Sequence, residues 1–222
     1  MAGDWRKSPI AQIALIVVIV LMAGSFLVRC KSKDSDAEEE DFGRRITLSV
    51  GAAAADESAR VLGANGGKAA LILPPYGTED MFPGSRAQIF REGFDLGAAK
   101  HPSLKVLGHF TPPGEGHSDF SLALFQEARE KYPEAELFVS FWGVPNLKTT
   151  PLQQWQAASL PKLVIVESRA ELLDAAQSVI QSGMAQSVIL SKGDAQYPET
   201  KPTDSQEIFN LFYQVLPARN TP

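Results

Sequence analysis

The sequence predicts a three-layer, doubly wound α/β domain with a mainly parallel sheet, and three observations lead to this prediction. Residues 68–75 read KAALILPP, an apolar run that follows Gly66-Gly67 and stops at two prolines. Such a run is too short for a helix and is typical of a strand buried on both faces of a parallel sheet. Similar apolar runs follow, each after a turn and an amphipathic segment. The resulting order of strand, helix, strand, helix favours one doubly wound sheet.

The predicted strands are short runs of apolar and β-branched residues bounded by turns. In chain order they are Ile46–Val50, Ala69–Leu73, Leu104–Phe110, Ala135–Phe141, Lys162–Val166 and, as the last strand, Ala185–Leu190.

The predicted helices are the segments whose apolar residues recur at helical spacing. Residues 52–62 are strong helix formers that end at Gly63, and Ile89, Phe90 and Phe94 mark one buried face of a later helix. The predicted helices are Ala52–Leu62, Ser85–Lys100, Asp119–Tyr132, Pro151–Ala158, Ala170–Gln181 and Ser205–Leu216.

The composition is that of an ordinary globular protein. The chain has 222 residues, of which 44% are hydrophobic and 21% charged, and its formal charge is −5. This length accommodates one domain with a sizeable core and one appended element. The mild acidity argues against nucleic acid as a partner, because nucleic-acid binding requires a basic face. A single cysteine, Cys30, excludes an internal disulfide and a structural zinc site built on several cysteines.

An uncharged apolar segment lies near the N-terminus. Residues 10–28 read IAQIALIVVIVLMAGSFLV, and at about 1.5 Å per residue this run spans roughly 28 Å, close to the hydrocarbon thickness of a bilayer. We therefore expect a transmembrane helix over residues 10–28 after a tail of residues 1–9, with a buried core helix as the alternative. The small residues 23–25 would also suit cleavage of a signal peptide, whereas Arg29 before Cys30 disfavours a lipoprotein signal. The flanking basic residues do not decide the orientation.

A polar linker separates this segment from the folded domain. Residues 31–45 read KSKDSDAEEEDFGRR, which is acidic and has no helical or strand periodicity. We expect residues 29–45 to form a solvated spacer that holds the domain of residues 46–222 off the membrane. The alternative, an acidic metal-binding tract, lacks the spacing of a calcium loop.

Candidate binding residues follow from the predicted sheet, because ligands of open parallel sheets bind beyond the carboxyl ends of the strands. This rule selects residues 74–77, His109 with Glu115, residues 141–143, residues 167–169 and residues 192–194. Two arginines of the second helix face either this edge or solvent. The ligand-binding candidates are Tyr76, Arg86, Arg91, His109, Trp142, Glu167 and Asp194.

The order of these motifs is similar to that of a known family. A GGKAALIL start is followed by Arg86 and by FREGF at residues 90–94, then by LKVLGHF, AELFVSFWG, KLVIVES and IQSGMAQSV. Over residues 46–193 the chain resembles the ligand-binding lobe of the type I periplasmic binding proteins, the sugar-binding family shared with LacI-type repressors. The resemblance implies a non-catalytic domain that binds a small polar solute such as a sugar. It also implies that Arg91 corresponds to an arginine that often contacts sugar hydroxyls.

The chain departs from the family pattern in three places. The family binds its ligand between two lobes, and this chain has residues for one, so a homodimer would have to supply the second. Where the family usually has a polar pair after the fourth strand, this chain has Trp142-Gly143, and where it usually has Asp, this chain has Glu167. An exposed Trp142 would stack on a sugar ring. The alternative is that Trp142 packs under a neighbouring loop.

No catalytic motif is recognisable, and we predict no catalytic residue, cofactor or metal. Residues 63–68 (GANGGK) differ from a phosphate loop in spacing and precede a strand instead of following one, and no G-x-S-x-G motif is present. His109, Glu115, His117 and Asp119 have the side chains for zinc binding or acid–base chemistry, although their Pro- and Gly-rich loop also fits a plain surface connection.

These observations predict a single-pass protein of the bacterial inner membrane with a periplasmic domain that binds a small polar solute or a partner protein. One alternative is a structural or accessory subunit of a membrane assembly that has lost its ligand. Another is an enzyme with a flavodoxin-like sheet that uses the His109 loop.

Overall fold

The computed structural model describes residues 39–74, 86–112, 120–148, 151–157 and 160–217. The chain divides into two compact units, residues 1–43 and 44–222. Of the first unit the structure describes residues 39–43, which are helical. The second unit contains the sheet and its covering helices.

The second unit is built on a six-stranded sheet with the order β2-β1-β3-β4-β5-β6. Neighbouring strands from β2 to β5 are parallel, and β6 runs antiparallel to β5. The predicted, mainly parallel sheet is therefore confirmed. The strands are β1 (Gly67–Ile72), β2 (Leu104–Phe110), β3 (Leu137–Ser140), β4 (Lys162–Glu167), β5 (Ser187–Ser191) and β6 (Tyr213–Pro217).

Helices cover both faces of the sheet, as expected when parallel strands are joined by crossover connections. Helices α3, α4 and α5 pack on one face, where Phe125, Trp155 and Val179 share a core with alternate strand residues such as Phe138. On the other face Phe90 of α2 stacks on Phe141, with 5.0 Å between ring centroids. The helices are α1 (residues 39–62), α2 (Arg86–Ala98), α3 (Leu122–Lys131), α4 (Leu152–Ala157), α5 (Leu173–Gln181, after a 3₁₀ turn at Ala170–Leu172) and α6 (Ser205–Phe212).

The predicted strand Ile46–Val50 is wrong, since these residues belong to α1. Their β-branched residues favour a strand locally, but they run directly into the helix-forming residues 52–62. Packing then decides, because a Cβ on Gly51 would lie 2.4 Å from the carbonyl oxygen of Phe90, so α1 and α2 touch closely. The helix also includes residues 39–45, which were predicted as an irregular spacer.

The predicted C-terminal helix Ser205–Leu216 is too long. Helix α6 ends at Phe212, and Tyr213–Pro217 form β6, which pairs with β5 and replaces it as the last strand. The apolar residues Ile208, Phe209 and Phe212 are buried, and Val215 continues their helical spacing by coincidence. The side chain of Asp204 begins α6 by accepting a hydrogen bond from the Glu207 N–H at 2.8 Å.

The predicted transmembrane segment, residues 10–28, lies outside the described residues. Within the ranges that the structure describes, no helix has both the length and the apolar character needed to cross a membrane.

Candidate functional site

The parallel register brings the carboxyl ends of the central strands to one edge of the sheet. Ile72 pairs with Ser140, and Ser140 pairs with Ile165, so these three strands end at nearly the same level. The antiparallel strand β6 starts at this edge, where Tyr213 pairs with Ser191. The loops that follow β3 and β4, the end of β5 and the start of β6 lie along one edge, which we name the rim.

The carboxylate of Glu167, at the end of β4, is the most buried charged group of the rim. Glu167 is 1% exposed. Its Oε2 accepts a hydrogen bond from the Val144 N–H at 2.8 Å, and its Oε1 accepts one from the Arg169 N–H at 2.9 Å. The Arg169 guanidinium also donates through Nε to Oε1 at 2.9 Å and through Nη2 to Oε2 at 3.0 Å. These four donors compensate the cost of burying the charge, which would otherwise be large.

Trp142 follows β3 and is half-buried beside this network. Its indole stacks on the ring of Phe120, with 6.4 Å between centroids and 29° between planes. Its backbone N–H donates to the hydroxyl of the buried Ser140 at 3.3 Å. Phe120 in turn contacts Trp155 with 5.7 Å between centroids. Trp142 therefore packs on neighbouring aromatic residues of its own chain.

Arg86 lies at the start of α2 and reaches the rim through Tyr213. The Arg86 guanidinium carbon lies 5.5 Å from the centroid of the Phe90 ring, and the guanidinium lies near the hydroxyl of Tyr213. Burial raises the pKa of the Tyr213 hydroxyl, and the positive charge of Arg86 offsets only part of this rise. Tyr213 therefore stays protonated at neutral pH and presents a neutral hydroxyl beside a cation.

Arg91 and His109 lie together at the β2 edge of the sheet, separated from Glu167 by strands β1 and β3. Burial and the charges of Arg91 and Lys131 lower the pKa of His109. Arg91 also forms an exposed ion pair with Asp95, with 3.6 Å between Nε and Oδ2. The His109 carbonyl accepts hydrogen bonds from the Tyr132 hydroxyl at 2.7 Å and from Lys131 Nζ at 3.1 Å. This pair is therefore distinct from the group around Glu167.

The other predicted site residues are either exposed or outside the described residues. Asp194 is exposed in the loop after β5. Tyr76, Glu115, His117 and Asp119 lie outside the described residues. In the part of the chain that the structure describes, no three His, Cys, Asp or Glu side chains cluster in a way that could hold a metal ion.

Neither Arg169 nor Tyr213 is among the ligand contacts predicted from the sequence. Arg169 follows the predicted strand of residues 162–166 and was within a loop that the sheet rule selected, so its position was a usable signal. Tyr213 lies within the predicted helix Ser205–Leu216, so the sheet rule could not select it. The structure thus brings together Arg86, Trp142 and Glu167 of the predicted set, and adds Arg169 and Tyr213.

No protein family model matches the chain, and no curated protein matches it. Solved structures do. A sugar-binding protein of a sugar ABC transporter from Bacillus halodurans matches with a TM-score of 0.50 and 14% identity, covering 78% of this chain and 62% of that chain. The arabinose-binding protein AraP from Geobacillus stearothermophilus matches with a TM-score of 0.45 and 20% identity, covering 65% and 45%. A putative LacI transcriptional regulator from Bacteroides fragilis matches with a TM-score of 0.45 and 16% identity, covering 74% and 50%.

These similarities concern the fold. The match to the Bacillus halodurans protein confirms the predicted resemblance, since the chain has the fold of a type I periplasmic-binding-protein-like lobe. The chain spans about half the length of the sugar-binding proteins that it matches, between 45% and 62% for the two named above.

Proposed function

We propose that this protein is a non-catalytic solute-binding domain whose rim binds a small polar solute, and that the solute is a sugar. The observation that carries the proposal is the composition of the rim. An aromatic ring, two arginines and a buried carboxylate lie at the edge where ligands of open parallel sheets bind. The likeness in fold to sugar-binding proteins supports the same class of ligand.

The chemistry of these residues suits a polyhydroxylated ligand. Guanidinium groups donate hydrogen bonds to hydroxyl oxygens, and the planar fork of arginine keeps its donors oriented. The Tyr213 hydroxyl, kept protonated by its raised pKa, lies beside Arg86 and could both donate and accept. The ring of Trp142 offers an apolar surface of the kind that packs against the face of a sugar.

The proposal includes a membrane anchor. The uncharged residues 10–28 are long enough to cross a bilayer, and the basic Arg6, Lys7 and Arg29 flank them. We place the domain in the periplasm of a bacterium, tethered to the inner membrane. Protease added to spheroplasts should digest the domain, whereas digestion that requires lysed cells would contradict the periplasmic location.

One specific observation favours a second function, that of an accessory subunit of a membrane assembly. The carboxylate of Glu167 receives four hydrogen bonds from its own chain, and Trp142 packs on Phe120. A rim whose polar and aromatic groups are engaged in this way would suit a lobe that contacts a partner protein, including a second copy of the chain. The molar mass of the purified protein in solution measures such pairing.

A thermal-shift screen of the full chain with pentoses and hexoses separates the two functions. A ligand that binds only the folded state raises the melting temperature in proportion to the logarithm of its concentration. A solute-binding domain should show such a rise with at least one sugar. An unchanged melting temperature with every sugar, at concentrations well above typical binding constants, would overturn the solute-binding proposal and leave the accessory function.

A further inference from the structure

We propose that Glu167 is a positioning residue that does not touch the solute. It holds Arg169 and the loop after β3, which contains Trp142 and is named the Trp142 loop, in one fixed arrangement at the rim. The proposal rests on the solute-binding function proposed above, because it assigns contact with the solute to Trp142 and Arg169. It differs from the sequence prediction, which placed Glu167 among the ligand contacts.

The carboxylate of Glu167 accepts hydrogen bonds from two different loops. Oε2 accepts from the backbone N–H of Val144, in the loop after β3. Oε1 accepts from the backbone N–H and from Nε of Arg169, in the loop after β4. Val144 and Glu167 are 23 positions apart in sequence, and the pairing of β3 with β4 brings their loops to the same edge, where this one side chain joins them.

The backbone of the Trp142 loop lies in close contact with this carboxylate. Gly143 has a φ of +89°, in the left-handed region that favours glycine. A Cβ on Gly143 would lie 2.5 Å from Oε2 of Glu167, so a larger residue would displace the carboxylate as well as strain the backbone. The position of Trp142, the residue before Gly143, therefore depends on the contact between this loop and Glu167.

Arg169 is oriented by the same group. Its guanidinium donates two parallel hydrogen bonds to the Glu167 carboxylate, at 2.9 and 3.0 Å, and its side chain is 51% exposed while that of Glu167 is 1% exposed. A two-pronged pair fixes the plane of the guanidinium as well as its position. Glu167 thus lies beneath the surface, whereas the Arg169 side chain is exposed and Trp142 is half-buried.

The chain offers a matched control in Glu57. This glutamate is also nearly buried, at 7% exposure, and Arg60 also donates to both of its oxygens through Nε, at 3.0 and 2.9 Å. The pair lies within one turn of α1 and bridges no loops of the rim. Glu57→Gln therefore reproduces the loss of a buried, arginine-paired charge without touching the rim.

The test uses ¹⁹F NMR of the full chain, labelled with 5-fluorotryptophan, in detergent micelles. The chain has three tryptophans, and the resonance of Trp142 is the one that disappears in Trp142→Phe. We expect Glu167→Gln to shift or broaden the Trp142 resonance and Glu57→Gln to leave it unchanged. Gly143→Ala disturbs the contact between the Trp142 loop and the Glu167 carboxylate from the side of the loop, so it should also shift the Trp142 resonance. Gly183→Ala, which has a similar φ of +75° but no described heavy atom within 4 Å of the added Cβ, should not.

The second measurement is the affinity for the sugar that gives the largest thermal shift. We expect Glu167→Gln to weaken it about tenfold, and Arg169→Met to weaken it by a similar factor. The double variant should be little weaker than either single variant, because Glu167 acts through Arg169 and the Trp142 loop. Glu57→Gln should bind as the unaltered protein does.

An unmoved Trp142 resonance in both Glu167→Gln and Gly143→Ala would overturn the proposal, and so would an equal movement in Glu57→Gln. Strictly additive losses of affinity in the double variant would also overturn it, since they indicate an independent contact between Glu167 and the solute. If the unaltered protein binds no sugar, the proposed function fails, and the Trp142 resonance alone decides whether Glu167 holds the loop.

Discussion

A Cβ atom on Gly93 would lie 2.3 Å from the carbonyl oxygen of Leu48, so α2 and α1 touch backbone to backbone at this point. Gly97 makes a similar approach one turn later, where an added Cβ would lie 2.7 Å from the carbonyl oxygen of Ala52. A side chain at either position would force the two helices apart. This contact sets how closely α2, which begins at Arg86, packs on α1.

Gly93→Ala should destabilise the protein. Ordinarily alanine stabilises a helix interior by about 1 kcal/mol relative to glycine, but overpacking at a rigid backbone contact costs about 1–3 kcal/mol. Gly43→Ala is the control, because Gly43 is helical and its Cβ would meet no described heavy atom within 4 Å. Urea unfolding should therefore show a loss for Gly93→Ala and a small gain for Gly43→Ala. A gain in both variants would contradict the backbone contact.

Tyr213→Phe should cost about 1 kcal/mol of unfolding free energy, because it removes a buried hydroxyl that lies beside the positive charge of Arg86. Tyr197→Phe removes the hydroxyl of a residue that is 68% exposed, and this change should have a smaller effect. Equal losses in the two variants, measured by urea unfolding, would contradict a stabilising role for the buried Tyr213 hydroxyl.

His109 should make stability depend on pH in the mildly acidic range. Burial and the charges of Arg91 and Lys131 lower its pKa in the folded protein, whereas in the unfolded chain its pKa is about 6.5. As the pH falls, the unfolded chain binds this proton first. The stability that neutral His109 contributes is therefore complete above the unfolded pKa and is lost as the pH falls through the folded pKa.

Unfolding free energies measured between pH 7 and pH 5 test this dependence. We expect a shallower fall for His109→Gln than for the unaltered protein. Arg91→Gln should give an intermediate slope, because it removes one of the charges that lower the His109 pKa. Superimposable slopes for all three proteins would contradict the cause assigned to the shift.

The central strands were predictable because their signal is local. Each of β1, β3, β4 and β5 contains a short apolar run that is buried, and burial on both faces leaves little else that such a run can form. The prediction of a strand over residues 46–50 was wrong because the signal that decides their structure is not local. Their sequence is compatible with a strand, and the close packing of Gly51 against α2, which no local pattern encodes, keeps them helical.

The location of the rim could be predicted from the sequence, but the contacts within it could not. The sheet rule selected the loops that contain Trp142, Glu167 and Arg169, because the rule needs only the position of each strand's carboxyl end. The hydrogen bond between Val144 and Glu167 joins residues 23 positions apart, and its existence depends on how two loops pack. The sequence placed Arg91 and Glu167 in one set of predicted ligand contacts. The strand order β2-β1-β3-β4 instead places Arg91 and His109 beside the outer strand β2, away from Glu167.

Hydrogen exchange of the full chain, with and without the sugar that gives the largest thermal shift, tests most directly whether the rim binds a solute. We expect the sugar to slow exchange in residues 141–148 and 167–172 and to leave residues 104–110 of β2 unchanged. Protection confined to residues outside the rim, or none with any sugar, would contradict the account.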